Sequence, residues 1–159
     1  GMILKAIFVG VVATVVMDLS AFAQRCLFGI PSLNYAMVGR WLGHIPKGRL
    51  IHRPIGQSSR IPGEAFLGWA AHYMIGILFA AAFFSIAGEE GARSPGPIRP
   101  LMFGLATVAA PFFLLQPGMG AGIVARRTPS PWVSRGRSLQ AHATFGIGIW
   151  IGMVLLDVG

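Results

Sequence analysis

The sequence predicts an all-α integral membrane protein with four transmembrane helices, and three observations carry that expectation. Composition is the first: of 159 residues, 54% are hydrophobic and 11% charged, where an ordinary soluble domain has about a quarter charged. Length is the second. From Ala65 to Ala87 the chain runs 23 residues without Asp, Glu, Lys or Arg, enough at about 1.5 Å per residue to cross a hydrocarbon core of about 30 Å. Recurrence is the third. Ala71-His72 lies between Gly68 and Gly76, and Ala141-His142 between Ser138 and Gly146, so the same small-residue and histidine stripe lies along one face of two helices. Gly10, Ala13, Thr14 and Val15 are echoed by Gly104, Ala106, Thr107 and Val108, with one residue fewer, and Ile30-Pro31-Ser32 by Thr128-Pro129-Ser130. These echoes point to tandem duplication of a two-helix unit, its copies related by an axis along the membrane normal. The chain is expected to form one domain, with spans at about 3–28, 65–87, 98–116 and 139–156.

The first span is apolar almost from the start and reaches Phe28. Its anomaly is Asp18, with Thr14 on the same face one turn earlier. An intramembrane carboxyl is costly, so it is read by default as part of a site. The connection 29–63 is basic, with Arg40, Lys47, Arg49, Arg53 and Arg60. Within it Ser32 can cap a short helix from Leu33 to about Leu42, lying in the membrane interface with Trp41 at headgroup level and Arg40 beside it. Pro46, Pro54 and Pro62 then interrupt the chain until Glu64 opens span two, where an acidic first-turn residue suits the helix dipole.

Span three has an uncharged run from Leu101 to Ala125. Gln116-Pro117-Gly118-Met119-Gly120-Ala121-Gly122 should end its helix close to Gln116, since proline removes a backbone donor and glycine favours the coil. Either the span finishes there in an interfacial turn, the favoured reading, or a broken helix exposes backbone to a ligand. The second basic connection, 117–138, carries Arg126, Arg127, Arg135 and Arg137 around Pro129, Pro131 and Trp132.

Lys and Arg number nine in these two connections, against three (Lys5, Arg93, Arg99) on the opposite side. The positive-inside rule places both connections in the cytoplasm and both termini outside. The isoelectric point near 11.4 is then an orientation signal. The arginines are scattered through proline-broken loops, without the reading element that nucleic-acid binding needs. Anionic lipid headgroups are the partner expected for Arg40, Trp41, Arg126, Arg127 and Trp132. Self-association in the bilayer is compatible with the sequence. With this orientation Asp18, His72, Gln116 and His142 all fall in the inner half of the bilayer, one per span. Asp18 and His72 are about equally deep and are expected to be neighbours.

Met17-Asp18-Leu19, Gly29-Ile30-Pro31-Ser32-Leu33-Asn34-Tyr35, Val38-Gly39-Arg40-Trp41-Leu42-Gly43-His44, Gly68-Trp69-Ala70-Ala71-His72-Tyr73 and Gln116-Pro117-Gly118-Met119-Gly120-Ala121-Gly122 together resemble an uncharacterised family of small bacterial inner-membrane proteins, domain of unknown function 2938. The resemblance covers nearly the whole chain. It implies a four-span bacterial inner-membrane protein and no activity, cofactor or catalytic residue.

Motifs for zinc proteases, phosphate-binding loops, paired cysteines and nucleophile elbows are missing; Gly56-Gln57-Ser58-Ser59-Arg60 lacks the last glycine of an elbow. Enzymatic chemistry is therefore the weaker expectation. Three readings remain. One is a small-solute or proton pathway through Asp18, His72, Gln116, His142 and Thr14, with Gly68, Gly76, Ser138 and Gly146 packing the helices around it. A second is a structural or partner-binding membrane subunit. The third is a haem or transition metal between His72 and His142. Depth counts against the third, because His142 lies only four to five residues inside its expected span and His72 about nine. No cofactor and no metal are expected on this argument.

Overall fold

The computed structural model describes residues 1–93 and 96–158, with only the backbone of Val158. Among the described residues the regular structure is all helical, with no strand. The helices are α1 (Met2–Phe28), α2 (Tyr35–His44), α3 (Glu64–Arg93), α4 (Ile98–Ala106), α5 (Gln116–Met119) and α6 (Pro131–Val158). Four helical stretches are long and apolar enough to cross a membrane: Met2–Phe28, Glu64–Arg93, Ile98–Met119 and Pro131–Asp157. Large apolar side chains are turned outward along them, Phe66 being 82% and Ile86 78% exposed. In water such a surface would aggregate; in a bilayer it faces acyl chains.

The helix bounds differ from the expected spans in three places. Helix α3 continues to Arg93, though its dihedrals break at Gly88, φ 67°, where the sequence suggests a turn. Helix α6 begins at Pro131, eight residues before Leu139, because Pro131 suits a first helical position and the single Gly136 between Trp132 and Ser138 is not enough to break the helix. The third span is irregular before Gln116: α4 stops at Ala106, and Pro111–Leu115 form a wide turn in which Gln116 N–H reaches the Pro111 carbonyl. Pro111 and Pro117 each withhold a backbone donor, so the ladder slips one residue between them. The helix then runs on through Gln116 and ends at Gly120, whose φ of 96° makes the left-handed cap.

The chain gathers into two compact bodies, residues 1–32, 73–107 and 139–159 in the first, 33–72 and 108–138 in the second. The first has a core of Ala6, Val9 and Ala13 from α1, Ala80, Phe83 and Phe84 from α3, and Phe145, Ile149 and Met153 from α6. Lipid provides little hydrophobic drive between helices, so close backbone approach carries the packing. At Gly10 an added Cβ would lie 2.5 Å from the Ile77 Cα and 2.9 Å from the Gly76 carbonyl; at Gly104 it would lie 2.6 Å from the Gly146 Cα. Gly148 lies equally close to Ala13.

The second body is built round α2. Its cap is Asn34, whose side chain accepts from Ala36 N–H, in place of Ser32. Gly39 and Gly68 let α2 and the start of α3 touch, a Cβ at either meeting backbone of the other helix. Trp41 is buried, donates its indole N–H to the Leu50 carbonyl at 2.8 Å, and lies under Gly118. His52 N–H bonds the Gly118 carbonyl at 2.8 Å, so the Gln116–Gly122 segment packs on the first basic connection.

Candidate functional site

In the first body, Asp18 is half-buried two-thirds of the way along α1 and accepts a hydrogen bond from the Tyr73 hydroxyl at 2.7 Å. The sequence reading singles out Asp18 and passes over Tyr73. Its only signal is a phenol directly after His72 in an otherwise apolar helix. Thr14 is buried and donates to the Gly10 carbonyl at 2.7 Å, with Gly76 closed against its hydroxyl. Thr14 and Gly76 thus make a helix crossing.

His142 lies eleven residues into α6, not four to five, because the helix starts at Pro131, so depth no longer counts against a His72 and His142 ligand pair. It pairs through Nδ1 with the Thr107 hydroxyl at 2.7 Å, and that hydroxyl is also 2.6 Å from the Gly104 carbonyl. One hydroxyl proton serves two acceptors here. Given to Gly104, it leaves Thr107 accepting from an Nδ1–H; given to His142, it requires the other tautomer. Thr107 enters the sequence reading only as an echo of Thr14. Gly146 backs onto Pro100, Leu101 and Gly104. Ser20, Gln24, Gln140 and Thr144 add a chain of polar contacts between α1 and α6, with Gln140 Nε2 3.1 Å from Thr144 Oγ.

In the second body, Gln116 Nε2 donates to Ser138 at 3.1 Å. His72 stacks on Tyr35, centroids 4.1 Å apart at 29°, with Trp69 edge-on at 5.8 Å. Arg126, Arg127 and Trp132 are exposed, and Arg135 lies over the Trp132 ring at 4.6 Å. Arg40 and Trp41 are corrected by the geometry. Rather than facing headgroups, Arg40 is 5% exposed and grips both carboxylate oxygens of Glu64, at 2.9 and 2.8 Å, with its third nitrogen toward the Gly56 and Ser58 carbonyls. The Glu64 carboxylate holds the guanidinium pKa above its ordinary value. Glu64 also takes Ile61 N–H at 3.0 Å, a side chain reaching back over its own helix start.

Two further histidines are not singled out by the sequence, His44 entering only as the last residue of a family motif. His44 and His52 are both fully buried, with ring centroids 5.0 Å apart and planes at 62°. His44 Nε2 faces the Ser59 carbonyl at 2.8 Å and His52 Nδ1 the Ser58 hydroxyl. Burial pushes the His52 pKa down, against the Arg49 carbonyl, which raises it; the Arg49 and His44 charges push the same way as burial. Seven residues separate the pair, and the reversal of the chain at the Ile45–Lys47 turn and Gly48, not a helix or strand period, brings the rings together.

Among the described residues, no group of three or more His, Cys, Asp or Glu is placed to hold a metal ion. No curated protein and no solved structure matches the chain significantly. Residues 7–156, nearly the whole chain, match the family described as protein of unknown function DUF2938, and the chain is a member of that family.

Proposed function

We propose that the protein is a multi-pass bacterial inner-membrane bundle that binds or conducts a small solute or protons through polar groups held inside its apolar helices. The observation that carries this reading is the pairing in the first body: a carboxyl and an imidazole, each far inside a long apolar helix, both hydrogen-bonded to hydroxyls of other helices. A charge at such depth costs about 2.5–3.5 kcal/mol or more. If these bonds served only to join helices, serine and threonine pairs would do so without that cost. Groups that can take and release protons next to hydroxyls that can donate or accept are the elements of a relay.

A duplicated two-helix unit, as the sequence echoes suggest, would support the same reading. Gly10 meets Gly76 with Thr14 bonded to the Gly10 carbonyl; Gly104 meets Gly146 with Thr107 bonded to the Gly104 carbonyl. Two crossings of one design, one lined by Thr14 and the other by Thr107 with His142, suit duplicated halves lining a common route. Exposed Arg126, Arg127 and Trp132 are suited to anionic headgroups.

The test is flux. Purified chain in liposomes, under an imposed pH gradient and with a fluorescent interior pH probe, should dissipate the gradient. Asp18→Asn and His142→Ala should each cut that rate at least tenfold while thermal unfolding in detergent stays cooperative. Flux that survives both changes, or is no faster than in empty liposomes, rejects the proton pathway. Lowered thermal stability with no flux to lose favours a structural subunit.

A further inference from the structure

We propose that His44 and His52 are two ligands of a transition-metal site in the first basic connection, its other positions completed by water or a small exogenous ligand. This pair is distinct from His72 and His142, and independent of the pathway.

The chain builds the pair with care. His44 ends α2; the Ile45–Lys47 turn, with Pro46 in its first positions and Gly48 at φ 76°, reverses the chain and returns His52 to it. Two adjacent residues then pin the two rings. A carbonyl only accepts, so His44 must carry its hydrogen on Nε2, facing Ser59, and neutral His44 presents a lone pair at Nδ1. When His52 Nδ1 donates to the Ser58 hydroxyl, Nε2 carries a second lone pair. These two atoms, His44 Nδ1 and His52 Nε2, are buried and have no hydrogen-bond partner among the described residues; only Gln116 Oε1 shares that condition. Buried polar atoms are nearly always satisfied, so two in one ring pair call for a ligand.

The chemistry of the two atoms says which ligand: two imidazole lone pairs on rings 5.0 Å apart are donors for a transition metal. Imidazole suits zinc, copper and nickel, and a backbone carbonyl fixing the far nitrogen is the usual support of a metal-bound histidine. Because no third His, Cys, Asp or Glu joins the group, the ion would be exchangeable rather than locked into the fold. Charge moderates affinity: Arg40 is balanced by Glu64, leaving Arg49 as the cation acting on His52.

The experiment uses the full chain in detergent, stripped with chelator and titrated with Ni²⁺ and Zn²⁺ by calorimetry and with Cu²⁺ by electron paramagnetic resonance. We expect one ion per chain and, for copper, splitting from two nitrogens. His44→Gln keeps a donor for Ser59 and His52→Asn keeps a polar group for Ser58, while each removes a ligating nitrogen; both should weaken binding at least tenfold without unfolding. Arg49→Gln should tighten it several-fold, whereas His72→Ala and His142→Ala should leave it unchanged. Lack of stoichiometric uptake, or uptake that persists in both His44→Gln and His52→Asn, overturns the site. Uptake lost on His72→Ala or His142→Ala overturns it as well.

Discussion

Arg40 is buried with both carboxylate oxygens of Glu64 in its grip, and that fixes what its removal should do. Breaking one side of such a pair leaves the other charge without its partner, which costs more than removing both. Arg40→Met should therefore lower the thermal midpoint in detergent, and Arg40→Met combined with Glu64→Gln should recover part of the loss. Additive losses would mean that the pair contributes nothing as a pair. The sequence shows neither partner's role, because the residues lie 24 apart across a proline-broken loop and each has a sound local reading alone. Arg40 passes for a surface cation and Glu64 for a helix-dipole residue. Asp18 and His142 are legible for the opposite reason: in an apolar helix a titratable side chain is an anomaly whatever its partners. Their hydroxyl partners Tyr73 and Thr107 are not anomalies, so only the folded chain identifies them.

The elements divide in the same way. Long charge-free stretches fix α1, α3 and α6 almost without reference to context, and mean hydropathy with length is enough to find them. Helix α2 is short and amphipathic, and its apolar side was as compatible with lipid as with protein. Gly39, Gly43 and Gly118 decide it: Gly39 lies against the backbone of Glu64 and Gly68, Gly43 against the Ile61 side chain and Gly118 against the Trp41 ring, each with no room for a Cβ. The end of the third span is the least legible part, because its register depends on two prolines six residues apart. Past Gly122 the chain puts Val124 at φ 52° and Ala125 at φ 57°, with the Val124 carbonyl held by Arg135 Nε at 2.7 Å. A β-branched residue in that region carries strain of roughly 1–2 kcal/mol, which glycine does not. Val124→Gly should leave stability unchanged or raise it by up to about 1 kcal/mol. Val133→Gly, on exposed helix in α6, should cost about 0.5–1 kcal/mol. Equal losses at the two sites, measured by thermal unfolding in one detergent, would remove the strain from Val124.

At the scale of the molecule, composition and four long apolar helices point to a membrane as the solvent, and the distribution of arginine is the signal from which direction is expected. The rule of orientation counts Lys and Arg and gives little weight to Asp and Glu, so neutralising Arg40 with Glu64 leaves the count of nine against three unchanged. Arg126, Arg127 and Trp132 are exposed. Both basic connections are therefore expected on the cytoplasmic face, with the turn after Gly88 and both chain ends on the other. Fusions of a cytoplasm-active reporter after residues 48 and 128 should be active, and one after residue 91 silent; a periplasm-active reporter should give the reverse. The first connection tests the rule most stringently, because Lys47, Arg49, Arg53 and Arg60 are exposed there and would have to cross the bilayer in the inverted topology. A periplasmic signal after residue 48 would invert the bundle and put Asp18 in its outer half. Any relay through Asp18 would then open away from the cytoplasm, while the passive flux measured in liposomes, which runs down a gradient of either sign, would be unchanged.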